Sequence, residues 1–375
     1  MKITIFGLTL SSSWGNGHAT PYRAIIRALH RRGHRVTFYE KDVPYYALRR
    51  DFDRRDDCKL VLYGSWDEIR PQALREAGES DVVICASYCP EGGRIIDDIL
   101  PLHRPLRVFY DLDTPITLRN LEHADLEYLC RDQVGCFDLY LSFTGGRILD
   151  ILEQQWGARM ARPVYGCVDP DLHRRVPERE DFRCALSYMA TYAADRQYKV
   201  DNLFLEPARR APDSRFVLAG SLYPREWSWP DNVHVVEHVA PHDHPVLYAS
   251  SKLTLNITRD GMARYGYCPS GRFFEAAACG TPVITDYWEG LEMFFCPTDE
   301  LLIARNSSDI ICALQGEDTE LSRIAWRARE RTLCQHTGDD RAREMLSYFD
   351  EARRPLRHTS HSSYLHTAAA LKPAA

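Results

Sequence analysis

Short apolar runs alternate with segments of helical periodicity along most of this chain, and this alternation limits the folds open to it. Residues 2–8 form an apolar run, residues 20–31 have helical periodicity, and a second apolar run covers residues 35–39. Further apolar runs in the first half predict strands at residues 60–62, 82–85, 106–110, 139–143 and 161–165. Strands that alternate with helices predict an α/β domain with a parallel, doubly wound sheet.

The second half of the chain repeats the pattern. Apolar runs predict strands at residues 184–189, 215–219, 233–236, 253–256 and 282–285, and periodicity predicts helices at residues 198–209, 318–335 and 339–352. Residues 167–181 between the halves are polar and charged and contain two prolines. We therefore expect a first domain over residues 1–170 and a second over residues 171–340. A terminal helix over residues 341–354 and a disordered tail over residues 355–375 would follow.

Residues 269–285 place one carboxylate on a helix of otherwise small and apolar residues. Residues 272–279 predict a helix, Gly280 suits its left-handed C-terminal cap, and the residues after it predict a buried strand. Ser270, Gly271 and Arg272 stand at the start of this helix, where unpaired N–H groups and the helix dipole favour a phosphate. The sequence therefore predicts an anion site there.

Size and composition narrow the function classes. A chain of 375 residues is long for one core and suits two domains. A formal net charge of −6 gives no general attraction to nucleic acid or anionic lipid, so neither is expected as a partner. The twelve cysteines are scattered among apolar residues, which predicts free thiols, no structural zinc site and a reducing compartment. No apolar stretch reaches membrane-spanning length, and we expect a cytoplasmic protein.

Four further motifs stand in order along the chain, at residues 15–18 (GNGH), 109–115 (FYDLDTP), 143–146 (FTGG) and 190–196 (ATYAADR). Together with residues 269–285, they resemble nucleotide-sugar glycosyltransferases of the GT-B fold, most closely the CgeB-like group of spore maturation proteins. This resemblance covers roughly residues 1 to 300.

The resemblance implies two Rossmann-like domains that face a central cleft, with the terminal helix packing back on the first domain. The first domain would bind the acceptor and the second the nucleotide sugar, in a hexosyltransferase-like reaction that needs no metal and no cofactor. The broader superfamily often carries two glutamates separated by seven positions on this helix. Glu275 matches the second, whereas the first position holds Tyr267.

The donor would bind mainly to the second domain. Fixed cations stabilise a leaving diphosphate, and the candidates are Arg196, Lys199, Arg259, Arg264 and Arg272. Glu275, one turn after Arg272, is suited to accept hydrogen bonds from ribose hydroxyls, although a surface ion pair between the two is the alternative. The predicted donor-binding residues are Gly220, Ser221, Arg259, Arg264, Ser270, Gly271, Arg272 and Glu275.

The first domain offers the candidates for chemistry. His18 is a candidate general base, and its alternative is a histidine that only bonds the backbone at a helix start. Asp111 and Asp113 follow a strand two residues apart, and we favour Asp113 as the cleft carboxylate, with turn capping as the alternative. The residues predicted to form loops against the acceptor or the phosphates are Gly15, Asn16, Gly17, Thr144, Gly145 and Gly146.

Three other functions are weighed against a transferase. A sugar-nucleotide epimerase would have the same fold, and a degenerate transferase would serve as a structural or spore-associated protein. A dehydrogenase is favoured only by Glu40 at the end of the second strand, because the glycine loop is displaced from the dinucleotide pattern. The sequence leaves open the donor sugar, its nucleotide base, and whether the anomeric configuration is retained or inverted. It also leaves open the oligomeric state and whether the acceptor is a glycan, a small molecule or a protein.

Overall fold

The computed structural model describes residues 1–52, 56–224 and 226–354. The first half forms a seven-stranded parallel sheet with the order β3-β2-β1-β4-β5-β6-β7. Its strands are β1 (Lys2–Gly7), β2 (Arg35–Lys41), β3 (Lys59–Tyr63), β4 (Val82–Ala86), β5 (Leu106–Asp111), β6 (Leu139–Ser142) and β7 (Ala161–Pro163). The strand order reverses between β1 and β4, and such a switch point is where doubly wound sheets bind ligands.

The second half forms a six-stranded parallel sheet with the order β10-β9-β8-β11-β12-β13. Its strands are β8 (Cys184–Met189), β9 (Phe216–Ala219), β10 (Val233–Val236), β11 (Ser251–Asn256), β12 (Val283–Thr285) and β13 (Leu302–Ile303). The switch point here lies between β8 and β11. The predicted α/β class with two doubly wound sheets is confirmed.

Helices cover both sheets. The first half contains α1 (Ala19–Arg31), α2 (Pro44–Ala47), α3 (Trp66–Glu79), α4 (Gly92–Ile99), α5 (Thr114–Leu121) and α6 (Arg147–Gln154). The second half contains α7 (Gln197–Val200), α8 (Glu206–Arg210), α9 (His244–Ala249), α10 (Asp260–Ala263), α11 (Gly271–Cys279), α12 (Ser307–Leu314), α13 (Asp318–Gln335) and α14 (Gly338–Arg353). A π-helical segment, Asp201–Leu205, joins α7 to α8.

The strands of the first sheet are apolar because both of its faces are buried. On β1, Ile3 and Ile5 pack on the face covered by α1, whereas Phe6 packs on the opposite face with Trp66 of α3. The core on the first face also includes Met345 of the C-terminal helix α14. Alternate residues of one strand therefore bury their side chains in two separate layers.

The chain returns from the second half to the first at the junction of α13 and α14. Helix α13 packs on α11, and α14 packs on α1. Arg341 of α14 is 2% exposed and donates hydrogen bonds to the carbonyls of Tyr165 and Gly166, both 3.2 Å away. These bonds hold the junction of α13 and α14 against the segment that follows β7.

All twelve cysteines are free thiols. None of the helices in the described part of the chain is both long and apolar enough to span a membrane. The tail predicted over residues 355–375 lies outside the described residues.

Candidate active site

A cavity of about 530 Å³ lies between the two sheets. Its walls are the loops at the carboxyl ends of β1, β4, β5 and β6 in the first half and of β8, β9, β10 and β11 in the second. The N-terminus of α11 completes the wall. This is the place at which parallel α/β sheets bind their ligands.

Glu40 holds the loop that follows β1. Its carboxylate is 1% exposed and accepts hydrogen bonds from the backbone N–H groups of Leu10 and Ser11 at 2.7 and 2.8 Å. The hydroxyl groups of Thr9 and Ser11 donate to it at 3.0 and 2.5 Å. Because these bonds engage both oxygens, Glu40 is a structural residue of the loop. The one sequence feature that favoured a dehydrogenase therefore has another role.

Asn16 shapes the tip of this loop. Its Oδ1 accepts hydrogen bonds from the backbone N–H groups of His18 and Ala19 at 3.1 and 3.3 Å, at the start of α1. Its Nδ2 donates to the carbonyl of Trp14 at 3.2 Å. Gly15, Asn16, Gly17 and His18 line the cavity.

His18, Tyr88 and Asp113 meet at the first-half wall. The Tyr88 hydroxyl donates to Asp113 Oδ2 at 3.1 Å, and His18 Nε2 lies 4.0 Å from the same oxygen. Burial lowers the pKa of His18 to about 4, so its imidazole is neutral at pH 7. Burial raises the pKa of Asp113 above its ordinary value. A half-buried carboxylate beside a neutral imidazole can accept a proton or stabilise positive charge in the cleft.

Asp111 has a different environment from Asp113. It is 0% exposed and accepts hydrogen bonds from the hydroxyls of Tyr140 at 2.6 Å and Thr117 at 2.9 Å. Burial raises its pKa to about 6. Of the two aspartates, Asp113 is the one that lines the cavity.

Three arginines from the second half line the cavity: Arg196, Arg259 and Arg272. Arg196 is 6% exposed, donates to the carbonyl of Thr191, and pairs with no carboxylate among the described residues. Burial lowers its pKa. A desolvated guanidinium without an acidic partner is costly unless an anion binds to it.

Arg259 and Arg272 are held in place. The Nε of Arg259 contacts both carboxylate oxygens of Asp195 at 3.2 Å. Arg272 donates to the carbonyl of Met189 at 2.6 Å and to the hydroxyl of Ser270 at 3.0 Å. These bonds fix the arginines beside the N-terminus of α11, where unpaired N–H groups also favour an anion.

Glu275 is buried one turn into α11, at 6% exposure. Its Oε2 lies 3.4 Å from His244 Nδ1 and accepts from the Tyr248 hydroxyl at 3.4 Å. Burial alone would raise its pKa, but the contact with His244 and the charges of His244, His173 and Arg272 lower it to about 2. Glu275 is thus an ionised, buried acceptor at the cavity wall. The alternative of a surface pair with Arg272 is wrong.

Gly220 and Ser221 end β9 at the cavity. A Cβ at Gly220 would overlap the carbonyl oxygen of Ala190, so the close crossing of these two strand ends requires glycine. Ser221 accepts a hydrogen bond from the Tyr192 backbone at 2.9 Å through its carbonyl. The loop after β9 is therefore fixed against the loop after β8.

Comparison with known proteins agrees with this geometry. Residues 196–347 match a family described as "Glycosyl transferase-like". Anabaena Alr3699/HepE in complex with UDP-glucose superposes with a TM-score of 0.65 at 14% identity, over 93% of this chain and 100% of that one. The chain has the GT-B fold.

Two other GT-B structures are similar over nearly the whole chain. An alpha-glucosyltransferase in complex with UDP-glucose and DNA containing an abasic site gives a TM-score of 0.68 at 15% identity, covering 94% of this chain and 100% of that one. Sucrose-phosphate synthase from Thermosynechococcus elongatus gives 0.64 at 12% identity, covering 93% and 98%. No curated protein matches the sequence.

The predicted site residues do not all belong to the GT-B cleft. All of them line the cavity except Arg264, Thr144, Gly145 and Gly146. Arg264 is exposed at the end of α10, and its carbonyl accepts a hydrogen bond from Arg147. It was predicted to bind the donor, and the structure places it outside the cavity wall.

The paired glycines at the end of β6 face the other domain rather than the cavity. The Gly145 N–H donates to the Tyr267 carbonyl at 3.0 Å. Gly146 has a φ of +65°, and a Cβ there would overlap the Tyr267 ring. The prediction was that these glycines let a ligand approach closely. In the structure the groups that approach are the Tyr165 hydroxyl at Gly145 and the Tyr267 ring at Gly146.

Tyr267 takes the place of the first superfamily glutamate and is not part of the cavity wall. Its backbone has a φ of +48°, and its N–H donates to the Glu289 carbonyl at 2.7 Å. This position contributes to the contact between the two halves.

The sequence did not point to two cavity residues, Tyr88 and His244. Tyr88 follows β4 and His244 begins α9. A polar residue at the end of a predicted strand or the start of a helix is the sequence signal that could have identified them. Arg196 was one of five candidate cations. Its burial and its place in the cavity wall separate it from Lys199, which is paired with Asp260 and Asp286 at 2.9 and 3.0 Å.

Proposed function

We propose that this chain is a glycosyltransferase that moves a sugar from a nucleoside diphosphate sugar to an acceptor hydroxyl in the interdomain cavity. The observation that carries the proposal is the buried guanidinium of Arg196, which has no carboxylate partner in the described part of the chain and lines the cavity with Arg272 and the start of α11. These groups are suited to a diphosphate, and they face His18 and Asp113 across the cavity.

In this mechanism the diphosphate binds to Arg196, Arg259, Arg272 and the backbone N–H groups at the start of α11. Fixed guanidinium groups stabilise the charge that develops on the leaving diphosphate, so the transfer step needs no metal there. Glu275, ionised and buried, accepts hydrogen bonds from the ribose hydroxyls.

The sugar would then extend from the diphosphate toward the first half. Asp113, with Tyr88 donating to it, is placed to deprotonate the acceptor hydroxyl or to stabilise charge at the anomeric carbon. His18 is neutral at pH 7 and is suited to hydrogen-bond the sugar.

UDP-glucose is the donor to test first, because two of the structurally similar proteins are complexes with it. A hexosyl donor and the CgeB-like subtype are finer proposals, supported by the order of the sequence motifs. A cytoplasmic location is a further proposal, supported by the twelve free cysteines, which suit a reducing compartment. One similar protein is bound to DNA. We keep the prediction of no nucleic-acid partner here, since the net charge of −6 opposes it.

A thermal-shift panel tests the proposal. It compares UDP-, GDP-, dTDP- and ADP-sugars with NAD and NADP, on the wild type and on Glu275→Ala. The expected result is stabilisation by one sugar nucleotide that the variant loses, because RT ln(1 + [L]/Kd) is added only where the ligand binds. A response to NAD alone would contradict the transferase, and no response would favour the structural alternative.

A further inference from the structure

His173, His244 and Glu275 form a cluster at the back of the cavity that the proposed transfer uses only in part. Their ligand-type atoms all lie within 4.8 Å of one another. His173 lies in the segment between β7 and β8, His244 begins α9, and Glu275 lies in α11. Three segments distant in sequence therefore converge on one point.

The two imidazoles have unmet hydrogen-bonding capacity. His173 is 0% exposed, and neither of its ring nitrogens has a hydrogen-bond partner among the described residues. His244 Nε2 contacts the Val239 carbonyl at 3.2 Å, which leaves Nδ1 directed at the cluster. A buried polar group without a partner is unfavourable because it has lost its hydrogen bonds to water, so these nitrogens favour a bound ligand.

The donor atoms suit a cation. His173 and His244 each offer an imidazole nitrogen, and Glu275 offers a carboxylate oxygen. Two imidazoles and one carboxylate are a donor set that Zn²⁺ binds in proteins.

The spacing is close to that of a coordinated ion. Zinc ligands at about 2.0–2.2 Å from the ion stand about 3.4 Å from one another in a tetrahedron. His244 Nδ1 and Glu275 Oε2 already have this separation, at 3.4 Å. Since no pair in the cluster is more than 4.8 Å apart, the widest pair needs to close by at most about 1.4 Å, which side-chain rotations supply.

We propose that His173, His244 and Glu275 bind a divalent transition-metal ion, of which Zn²⁺ fits the donor set best. His244 and Glu275 line the cavity, so the fourth coordination position faces it and takes water or a hydroxyl of a bound ligand. The Oε2 atom of Glu275 serves the ion, and Oε1, on the side of Gly271, is left for a ligand in the cavity. The ion ties the interdomain segment to α9 and α11.

Zinc binding to the full-length chain tests this proposal without any sugar nucleotide, so its outcome is separate from that of the proposed transferase. Protein stripped with a chelator and dialysed is titrated with ZnCl₂ by calorimetry. The wild type is expected to bind one tight Zn²⁺. His173→Gln and His244→Gln are expected to weaken it about 100-fold or more, because outer-shell changes alone cost about 10- to 100-fold.

His242→Gln is the matched control, because His242 lies two residues from His244 and its side chain is 74% exposed. The histidines of residues 355–375 are unchanged in every variant, so binding to them is common to all. Near-UV circular dichroism verifies that each variant is folded, and Co²⁺ gives a visible tetrahedral spectrum that both site variants lose. No tight Zn²⁺ in the wild type, or equal binding in His173→Gln and His242→Gln, would overturn the proposal.

Discussion

The two aspartates after β5 show how environment separates residues that the sequence presents alike. Asp111 is enclosed by the hydroxyls of Tyr140 and Thr117, whereas Asp113 lines the cavity with Tyr88 as its donor. The sequence placed both after a strand and favoured Asp113. Tyr140 and Tyr88, a partner of each aspartate, come from other strands or strand ends 25 or more residues away, which strand periodicity does not reveal.

We predict that Asp113→Asn lowers the turnover of the donor by about 10²- to 10⁴-fold, because it removes a general base or charge stabiliser. Asp111→Asn is predicted instead to lower the free energy of unfolding by about 1–3 kcal/mol, since it disturbs a buried hydrogen-bond network. Nucleotide release from UDP-glucose measures the first effect, and urea denaturation measures the second. Equal losses of turnover in two fully folded variants would contradict this assignment.

His18 gives a pH-dependent prediction. Its pKa is about 4 in the folded chain and about 6.5 when unfolded, so the unfolded state binds more protons between these values. The stability contributed by neutral His18 is complete above pH 6.5 and is lost as the pH falls toward 4. We predict that His18→Gln loses less stability than the wild type between pH 7 and pH 4.5.

The urea midpoint at both pH values measures this difference. Burial also lowers the pKa of His336, to about 3. Because His336 is unchanged in His18→Gln, its part of the pH dependence of stability remains in that variant. His30→Gln is the control, because His30 is exposed on α1. An unchanged pH dependence in His18→Gln would show that His18 is not buried in its neutral form.

At the scale of elements, periodicity located most strands well, including the three-residue strands β7 and β12, and missed β13. The predicted strand at residues 82–85 is β4, Val82–Ala86, and the predicted helix at residues 318–335 is α13. The sheet-edge strand β13, Leu302–Ile303, is two residues long and carries too little pattern to detect.

The paired glycines illustrate a second limit at this scale. A strand-end glycine indicates a close approach, but the sequence does not say what approaches. At Gly146 it is the ring of Tyr267 from the other half. Contacts between elements more than a hundred residues apart decide such cases.

We predict that Gly146→Ala lowers the free energy of unfolding by about 1–4 kcal/mol, the sum of a positive-φ cost and overpacking. Gly157→Ala is the control, because Gly157 has a φ of +74° but no atom lies within 4 Å of its added Cβ. Urea denaturation of both variants separates the contact from the backbone strain. Equal destabilisation would show that the contact with Tyr267 contributes nothing.

At the scale of the whole molecule, the alternation of strands and helices predicted the fold class, and the comparisons confirm GT-B. The relative placement of the halves was available only through the resemblance. In the structure it rests on contacts such as the bonds of Arg341 to Tyr165 and Gly166 and the packing of α14 on α1. The bonds of Arg341 join residues about 175 positions apart in sequence, and α1 and α14 lie more than 300 positions apart. Such separations are beyond any local pattern.

The cavity brings together residues of both halves that the sequence assigned separately. Arg196 lies on one wall and Asp113 on the other, so a ligand that spans them contacts both domains. A nucleoside diphosphate sugar has this combination of an anionic centre and a neutral sugar. The central claim is therefore that the diphosphate of a sugar nucleotide binds at Arg196.

Calorimetric titration with UDP-glucose and the other sugar nucleotides tests this claim most directly, on the wild type, Arg196→Gln and the exposed control Arg264→Gln. We predict that one sugar nucleotide binds the wild type and the control alike. Arg196→Gln should weaken the affinity for that sugar nucleotide about 10- to 100-fold, since a hydrogen bond to a charged group contributes about 1.5–3 kcal/mol. Equal affinity in Arg196→Gln, or no binding of any sugar nucleotide to the wild type, would contradict the account.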